Sequence, residues 1–177
     1  MHSLLIVDDE ENVLHGLRRI LSKINKWRVV TVSDPLEALD IARNEHFDLI
    51  MSDYRMPGMD GVELLMHTKR FHPDAMRLIL SGATDFSGLV NAVNKAEIYR
   101  FISKPVQSYD LISTIEQALQ FYRMAKENRM LAEQVRSQQQ ELKKREIALK
   151  RFAEEHPVLA QVNWDADGSI ILDEDDV

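Results

Sequence analysis

Five short apolar runs, each followed by a longer segment of helical periodicity, constrain this chain more than any other feature. Apolar runs of four to six residues are strand-like, and apolar positions recurring every three or four residues mark the helices between them. The expected strands are Ser3 to Val7, Arg28 to Val32, Phe47 to Ser52, Met76 to Ser81 and Tyr99 to Ser103. Helices are expected at Glu11 to Asn25, Pro35 to Glu45, Val62 to Phe71 and Phe86 to Lys95, with a fifth starting near Ser108. Because the strands are almost continuously apolar, both their faces must be buried. That requirement selects an α/β fold, a doubly wound parallel sheet with helices on each side.

In an open parallel sheet, ligands sit beyond the carboxyl ends of the strands, near the point where strand order reverses. Asp8 and Asp9 follow the first expected strand, Asp53 the third and Lys104 the fifth, while Ser81 ends the fourth. Alone, each has an ordinary explanation. Asp8 could cap the next helix in a capping box with Glu11, and Asp53 could be a turn residue before Met56-Pro57-Gly58-Met59, whose Pro and Gly suit the centre of a tight turn. Ser81 could be a cap and Lys104 a surface lysine. Together they place three carboxylates, a hydroxyl and an ammonium on one edge. Clustered carboxylates oppose one another's ionisation, and a hard divalent cation such as magnesium relieves them while retaining waters and accepting a phosphate oxygen. Aspartate needs no general base to act as a nucleophile at neutral pH. The set therefore suits transfer of a phosphoryl group onto a carboxylate, where positioning and charge neutralisation do most of the catalysis.

The fifth helix meets no stop signal before His156-Pro157. With Phe121 as heptad position a, the a series continues through Asn128, Val135, Leu142 and Leu149. The d series is Met124, Leu131, Gln138, Arg145 and Phe152. This predicts a coiled coil from 121 to 156, with an a-position Asn of the kind that fixes register. Beyond Pro157, Gln161 to Trp164 and Ser169 to Leu172 flank Asp167-Gly168, the pattern of a hairpin. An acidic tail, Asp173 to Asp176, follows. The organisation expected is thus a domain over 1–120, a helical extension over 121–156 and a hairpin-like segment with its tail over 157–177.

Charge and composition narrow the function classes. The net charge is −7. Lys and Arg against Asp and Glu number 13 to 17 over 1–119, 9 to 6 over 120–156 and 0 to 6 over 157–177. Such a distribution lacks the basic surface that duplex DNA selects, so no nucleic-acid partner is expected. The chain has no cysteine, which removes disulfides, thiolate metal sites and thiol nucleophiles. The first apolar run is too short for a signal or membrane segment. A cytoplasmic protein with no membrane association is expected.

The segments Leu5-Ile6-Val7-Asp8-Asp9-Glu10, Asp53 to Gly61, Leu80-Ser81-Gly82 and Phe101-Ile102-Ser103-Lys104-Pro105 resemble those of bacterial response-regulator receiver domains. The resemblance spans about residues 1 to 120. It implies a flavodoxin-like (βα)5 fold of strand order 2-1-3-4-5. It also implies phosphorylation of Asp53 by a sensor histidine kinase or phosphotransfer protein, and magnesium held by Asp8, Asp9, Asp53 and the backbone carbonyl of Arg55. Ser81 and Phe101 fall on the family's switch positions, with Phe101 where tyrosine is frequent. The stretch Ile98 to Pro105 looks like receivers that precede cyclic-dinucleotide phosphodiesterase or other output domains.

Three rivals fare worse. A flavin-binding protein needs a phosphate loop where Asp8 to Glu11 would repel it. A dehalogenase-type phosphatase needs an Asp-x-Asp pattern after the first strand. A scaffold with a degenerate receiver has no use for the intact set of Asp8, Asp9, Asp53, Ser81 and Lys104. The expectation is a non-enzymatic signalling protein that homodimerises through its C-terminal helix and acts on a downstream protein partner. The alternatives are a coiled-coil dimerisation protein or a fragment of a longer regulator with an enzymatic output domain.

Overall fold

The computed structural model describes residues 1–82 and 96–155, together with the backbone of 163–164 and 170–171. Two compact units result, Met1–Glu127 and Asn128–Val177. In the first, β1 (His2–Val7), α1 (Glu11–Leu21), β2 (Trp27–Val32), α2 (Pro35–Asn44), β3 (Leu49–Asp53), α3 (Gly61–Thr68), β4 (Met76–Ser81) and β5 (Arg100–Ser103) follow in order, and α4 (Ser108–Glu155) begins. The five strands are all parallel, in the order β2-β1-β3-β4-β5. The expected helix at Phe86 to Lys95 lies outside the described residues.

Alternation along β1 explains the two-sided core. Leu4 and Ile6 point to one face, where they pack with Leu14, Leu17 and Leu21 of α1 and Leu111, Ile115 and Leu119 of α4. Leu5 and Val7 point to the other, among Ala38, Leu39 and Ala42 of α2 and Val62, Leu64 and Leu65 of α3. A strand whose successive side chains feed opposite layers is apolar along its middle, as Leu4–Val7 of β1, Leu49–Met51 of β3 and Leu78–Leu80 of β4 are; the buried polar residues Ser52, Asp53 and Ser81 lie at the strand ends, and Arg77 bonds to Ala96 O and Glu97. On α4 the buried residues Leu111, Thr114, Ile115, Ala118, Leu119 and Tyr122 form one stripe at helical spacing.

Several boundaries differ from expectation for local reasons. Helix α1 stops at Leu21 rather than Asn25, because Ile24 N–H turns back to Leu21 O (3.0 Å) and brings Ile24 against the core. Strand β3 begins after Phe47 and Asp48 and takes in Asp53, which pairs with Leu80. Asp60 caps α3 by accepting from Glu63 N–H (2.8 Å), so that helix starts at Gly61 and ends at Thr68. Asp34 caps α2 in the same way, with Pro35 in the first turn.

Asp48 ties together the sheet edge opposite the candidate site. Its Oδ2 accepts from Ser3 N–H and lies against His2 Nδ1, each at 3.0 Å, and Tyr122 of α4 hydrogen-bonds to the same carboxylate. Burial alone would raise the Asp48 pKa, but the bonds from Ser3, Tyr122 and His2 together hold it below its usual value. Burial first, then the Asp48 carboxylate, push the Tyr122 hydroxyl up to about 12.

In the second unit, residues 128–152 of α4 are exposed. Strands β6 (Asn163–Trp164) and β7 (Ile170–Ile171) pair antiparallel. Residues 165–169, including the expected Asp167-Gly168 turn, lie outside the described residues.

Candidate functional site

Strand ends deliver the side chains. The β1–β3 and β3–β4 registers set Val7 beside Ser52 and Asp53 beside Leu80. Asp8, one residue beyond β1, Asp53, the last of β3, and Ser81, the last of β4, therefore come out on a common edge. Lys104 follows β5, held by its N–H to Ser81 O at 2.8 Å, and its peptide bond to Pro105 is cis.

The Lys104 ammonium joins the two aspartates. Nζ lies 2.6 Å from Asp53 Oδ1, 2.8 Å from Asp8 Oδ2 and 3.6 Å from Glu10 Oε1. Asp53 Oδ2 accepts from Arg55 N–H at 2.9 Å, while Asp8 Oδ1 accepts from Glu10 N–H at 2.9 Å. Asp8 is thus not the cap of α1: Glu10 holds that position, and no side chain caps it. Asp8 and Ser81 are almost wholly buried, and Asp53 is 6% exposed. Burial lowers the affinity of Lys104 for its proton, but contacts with Asp53 and Asp8 outweigh that and hold its pKa above the ordinary 10.5. Burial dominates at Asp8, and its pKa stays above the ordinary value despite Lys104 and the Glu10 amide.

Among the described residues Ser81 Oγ is buried without a hydrogen-bond partner, and the buried Asp8 Oδ2 meets the Lys104 ammonium and accepts no other hydrogen bond. A desolvated oxygen left so is costly unless a further group completes it. Among the described residues, no three acidic or histidine side chains enclose a metal by themselves. Lys104 spans Asp8 and Asp53, and Asp9 is exposed. An incompletely bonded, buried carboxylate oxygen with two further carboxylates nearby in sequence and space suits a hard cation that draws its remaining ligands from water and phosphate.

Phe101 is half-buried against the core layer containing Val62 and Ile79. It borders a cleft of about 490 Å³ lined also by Arg100, Lys104, Asp110 and Thr114. Arg55 is exposed, its guanidinium 5.9 Å from the centre of the Tyr54 ring.

Gly61 belongs to the site although the sequence reading assigned it no role. A Cβ there would lie 1.9 Å from Asp53 O and 2.9 Å from Ser52 Oγ, so α3 approaches the candidate acceptor at backbone contact. The adjoining turn needs its own glycine, Gly58, at φ 81°. A glycine directly after a helix-capping Asp60 was the available signal for Gly61.

A doubly wound α/β domain with a lysine-bridged pair of buried aspartates at the carboxyl edge of its sheet is the class that fold and site define. Residues 4–116 match the response regulator receiver domain, and the chain belongs to that family. It is 32% identical over 142 residues to the hydrogenase transcriptional regulatory protein HoxA of Bradyrhizobium diazoefficiens, covering 80% of this chain and 29% of that protein. The HoxA protein of Cupriavidus necator is 38% identical over 118 residues, 67% of this chain and 24% of its own length. The chain thus spans less than a third of these relatives. Among solved structures, the signal receiver domain of an HD domain-containing protein from Pseudomonas fluorescens superposes with a TM-score of 0.67 at 31% identity, covering 71% of this chain and 92% of that one. None of the described helices is long and apolar enough to cross a membrane.

Proposed function

We propose that this chain accepts a phosphoryl group on Asp53 from a histidine kinase or phosphotransfer protein and passes the signal on through protein contacts. The ion-paired Asp53–Lys104–Asp8 arrangement carries this reading. An Asp53 carboxylate oxygen forms the new P–O bond as the P–N bond to a phosphohistidine breaks, and the departing imidazole keeps the electron pair and takes a proton from water. Lys104 neutralises charge on the transferred group, and the unpartnered Ser81 hydroxyl donates to one of its oxygens. Asp8, Asp9, Asp53 and the Arg55 carbonyl would hold magnesium, which supplies charge neutralisation for the phosphoryl oxygens. Drawing Ser81 toward the phosphate favours a turned Phe101, shifting a population rather than creating a new fold. The chain performs no other catalysis in this reading; it works in the cytoplasm as a homodimer joined through α4.

Magnesium-dependent labelling by a small phosphodonor tests the site: wild type should label and Asp53→Asn should not. Equal labelling of both would remove Asp53 as acceptor. Output on DNA is a second reading, prompted by the relatives whose names mark them as transcriptional regulators. The net charge of −7 favours protein contacts instead. Tight, salt-sensitive binding of the chain to duplex DNA would reverse that preference.

A further inference from the structure

We infer that residues 128–152 of α4 pair with a second copy of this chain in parallel and in register. The inference rests on the dimer reading above and adds its orientation and register. Four apolar residues of the heptad seam are uncovered: Leu131, Val135, Leu142 and Leu149 are each at least half exposed. Exposed apolar residues at a and d ask for a facing helix.

The polar residues of the seam choose among the possible partners. Asn128 at a, with Gln138 and Arg145 at d, interrupts the apolar layers at uneven intervals. In a parallel, in-register pair each layer faces its own copy, so Asn meets Asn, Gln meets Gln and Arg meets Arg. Antiparallel coils oppose a to d. Every antiparallel register that includes Gln138 and Arg145 sets at least one of them against an apolar layer: Gln138 on Val135, Gln138 on Leu142, or Arg145 on Phe121, for example. A parallel shift of one heptad sets Asn128 on Val135. Burying an amide or guanidinium against hydrocarbon forfeits its hydrogen bonds, so mismatch is penalised where a self-matched amide layer is not, and the self-matched Arg145 layer needs neighbouring carboxylates to offset its two like charges.

The Arg145 layer has its charges arranged for the same pairing. Its guanidinium already meets Glu141 Oε1 of its own helix at 2.6 Å. Positions g and e' of a parallel pair bring Glu141 toward Glu146 of the partner subunit, a like-charge contact. Arg145 at d lies between those two carboxylates and relieves it. A seam arginine, a defect in a solitary helix, thus has a use in the parallel pair.

Because the chain has no cysteine, single cysteines report the geometry cleanly. Glu133 and Glu154 are exposed and both occupy the outer f position. Spin labels on Glu133→Cys and, separately, Glu154→Cys should give the same short distance between copies. In an antiparallel pair at least one label pair would be separated by roughly 30 Å or more along the axis. Gln138→Cys should form a disulfide with its own copy under mild oxidation. Replacing both polar d residues, Gln138→Leu with Arg145→Leu, should tighten the dimer roughly tenfold or more while admitting antiparallel pairs, seen as a second distance at one label. Sedimentation sets the two readings apart. A monomer at all concentrations overturns the dimer itself. A dimer with unequal label distances overturns the orientation alone, and equal distances without the Gln138→Cys disulfide overturn the register alone.

Discussion

Asp8 and Asp48 are both carboxylates at strand ends of one sheet, yet their surroundings push them in opposite directions. Asp8 holds its proton more tightly in the folded chain than in the unfolded one, so the folded state binds more protons above the usual carboxylate pKa and stability falls as pH rises through that window. Asp8→Asn should remove this fall and raise Tm by a few degrees at pH 7, while abolishing magnesium-dependent labelling; thermal melts from pH 3 to 8 on both proteins check it. A lower Tm for the variant at pH 7 would show that the Lys104 pair outweighs the burial cost. Gly61→Ala places a methyl into the Asp53 carbonyl, so α3 or β3 must shift. Expected are a loss of about 1–3 kcal/mol, measured by urea unfolding, and labelling slowed roughly tenfold to a hundredfold. The charged residues of the site were legible in the sequence because each follows an apolar run, and the fold rule for parallel sheets says where such ends meet. Gly61 was not, since its role depends on how closely a helix approaches a strand. Nor was the lysine bridge: sequence placed Lys104 near Asp53, but only the fold shows that Asp8 shares the ammonium.

At the level of elements, apolar continuity revealed β1 and β4 nearly to the residue, because strands buried on both faces carry few polar positions; Arg77, buried in β4, is accommodated by bonds to Ala96 O and Glu97. Boundaries set by turns, such as the end of α1 at Leu21, were less legible: Ile24 continues the apolar spacing while its N–H bonds backwards to close a turn. The tie between α4 and the sheet was invisible, because His2, Asp48 and Tyr122 are far apart in sequence and none belongs to a recognisable motif. Tyr122 is the last buried residue of α4 in the receiver unit, so its bond to Asp48 fixes the helix at that point. Tyr122→Phe keeps the ring but removes the hydroxyl, and should cost about 1–2 kcal/mol, a Tm lower by roughly 3–6 °C. The sign with pH is separate for each partner. Asp48 is held below its usual pKa, so its contribution is full above that value and is lost as pH falls through the folded one. Tyr122 is raised to about 12, so its contribution is full below the unfolded tyrosine value and is lost as pH climbs toward 12. The variant should therefore melt closer to wild type at both extremes; a constant gap would assign the loss to packing rather than to this bond.

The whole chain joins a unit that supplies its own core to a long exposed stretch of helix. Residues 1–122 bury two apolar layers against the sheet, whereas 128–152 have no buried side chain. Intrinsic propensity and ion pairs such as Arg145–Glu141 and Lys150–Glu146, at 2.6 and 3.0 Å, contribute to this helical stretch within one copy. Each exposed pair contributes only about 0.3–0.5 kcal/mol, too little to offset the entropy of ordering a lone helix in water. Its stability should then follow association by mass action, while that of the receiver does not. Hydrogen exchange across a dilution series reads the two regions in one sample. Amides in β1, β3 and the stretch 111–122 should keep their protection at every concentration, and those of 128–152 should lose theirs together as the chain is diluted through its dimer dissociation constant. Magnesium and a phosphodonor added at fixed dilution then test the link between the regions: if phosphorylation at Asp53 governs pairing, protection of 128–152 changes in wild type and not in Asp53→Asn. Protection of that stretch unaffected by either dilution or phosphorylation would mean that the helix is stabilised within one copy, and that the signal leaves from the receiver surface.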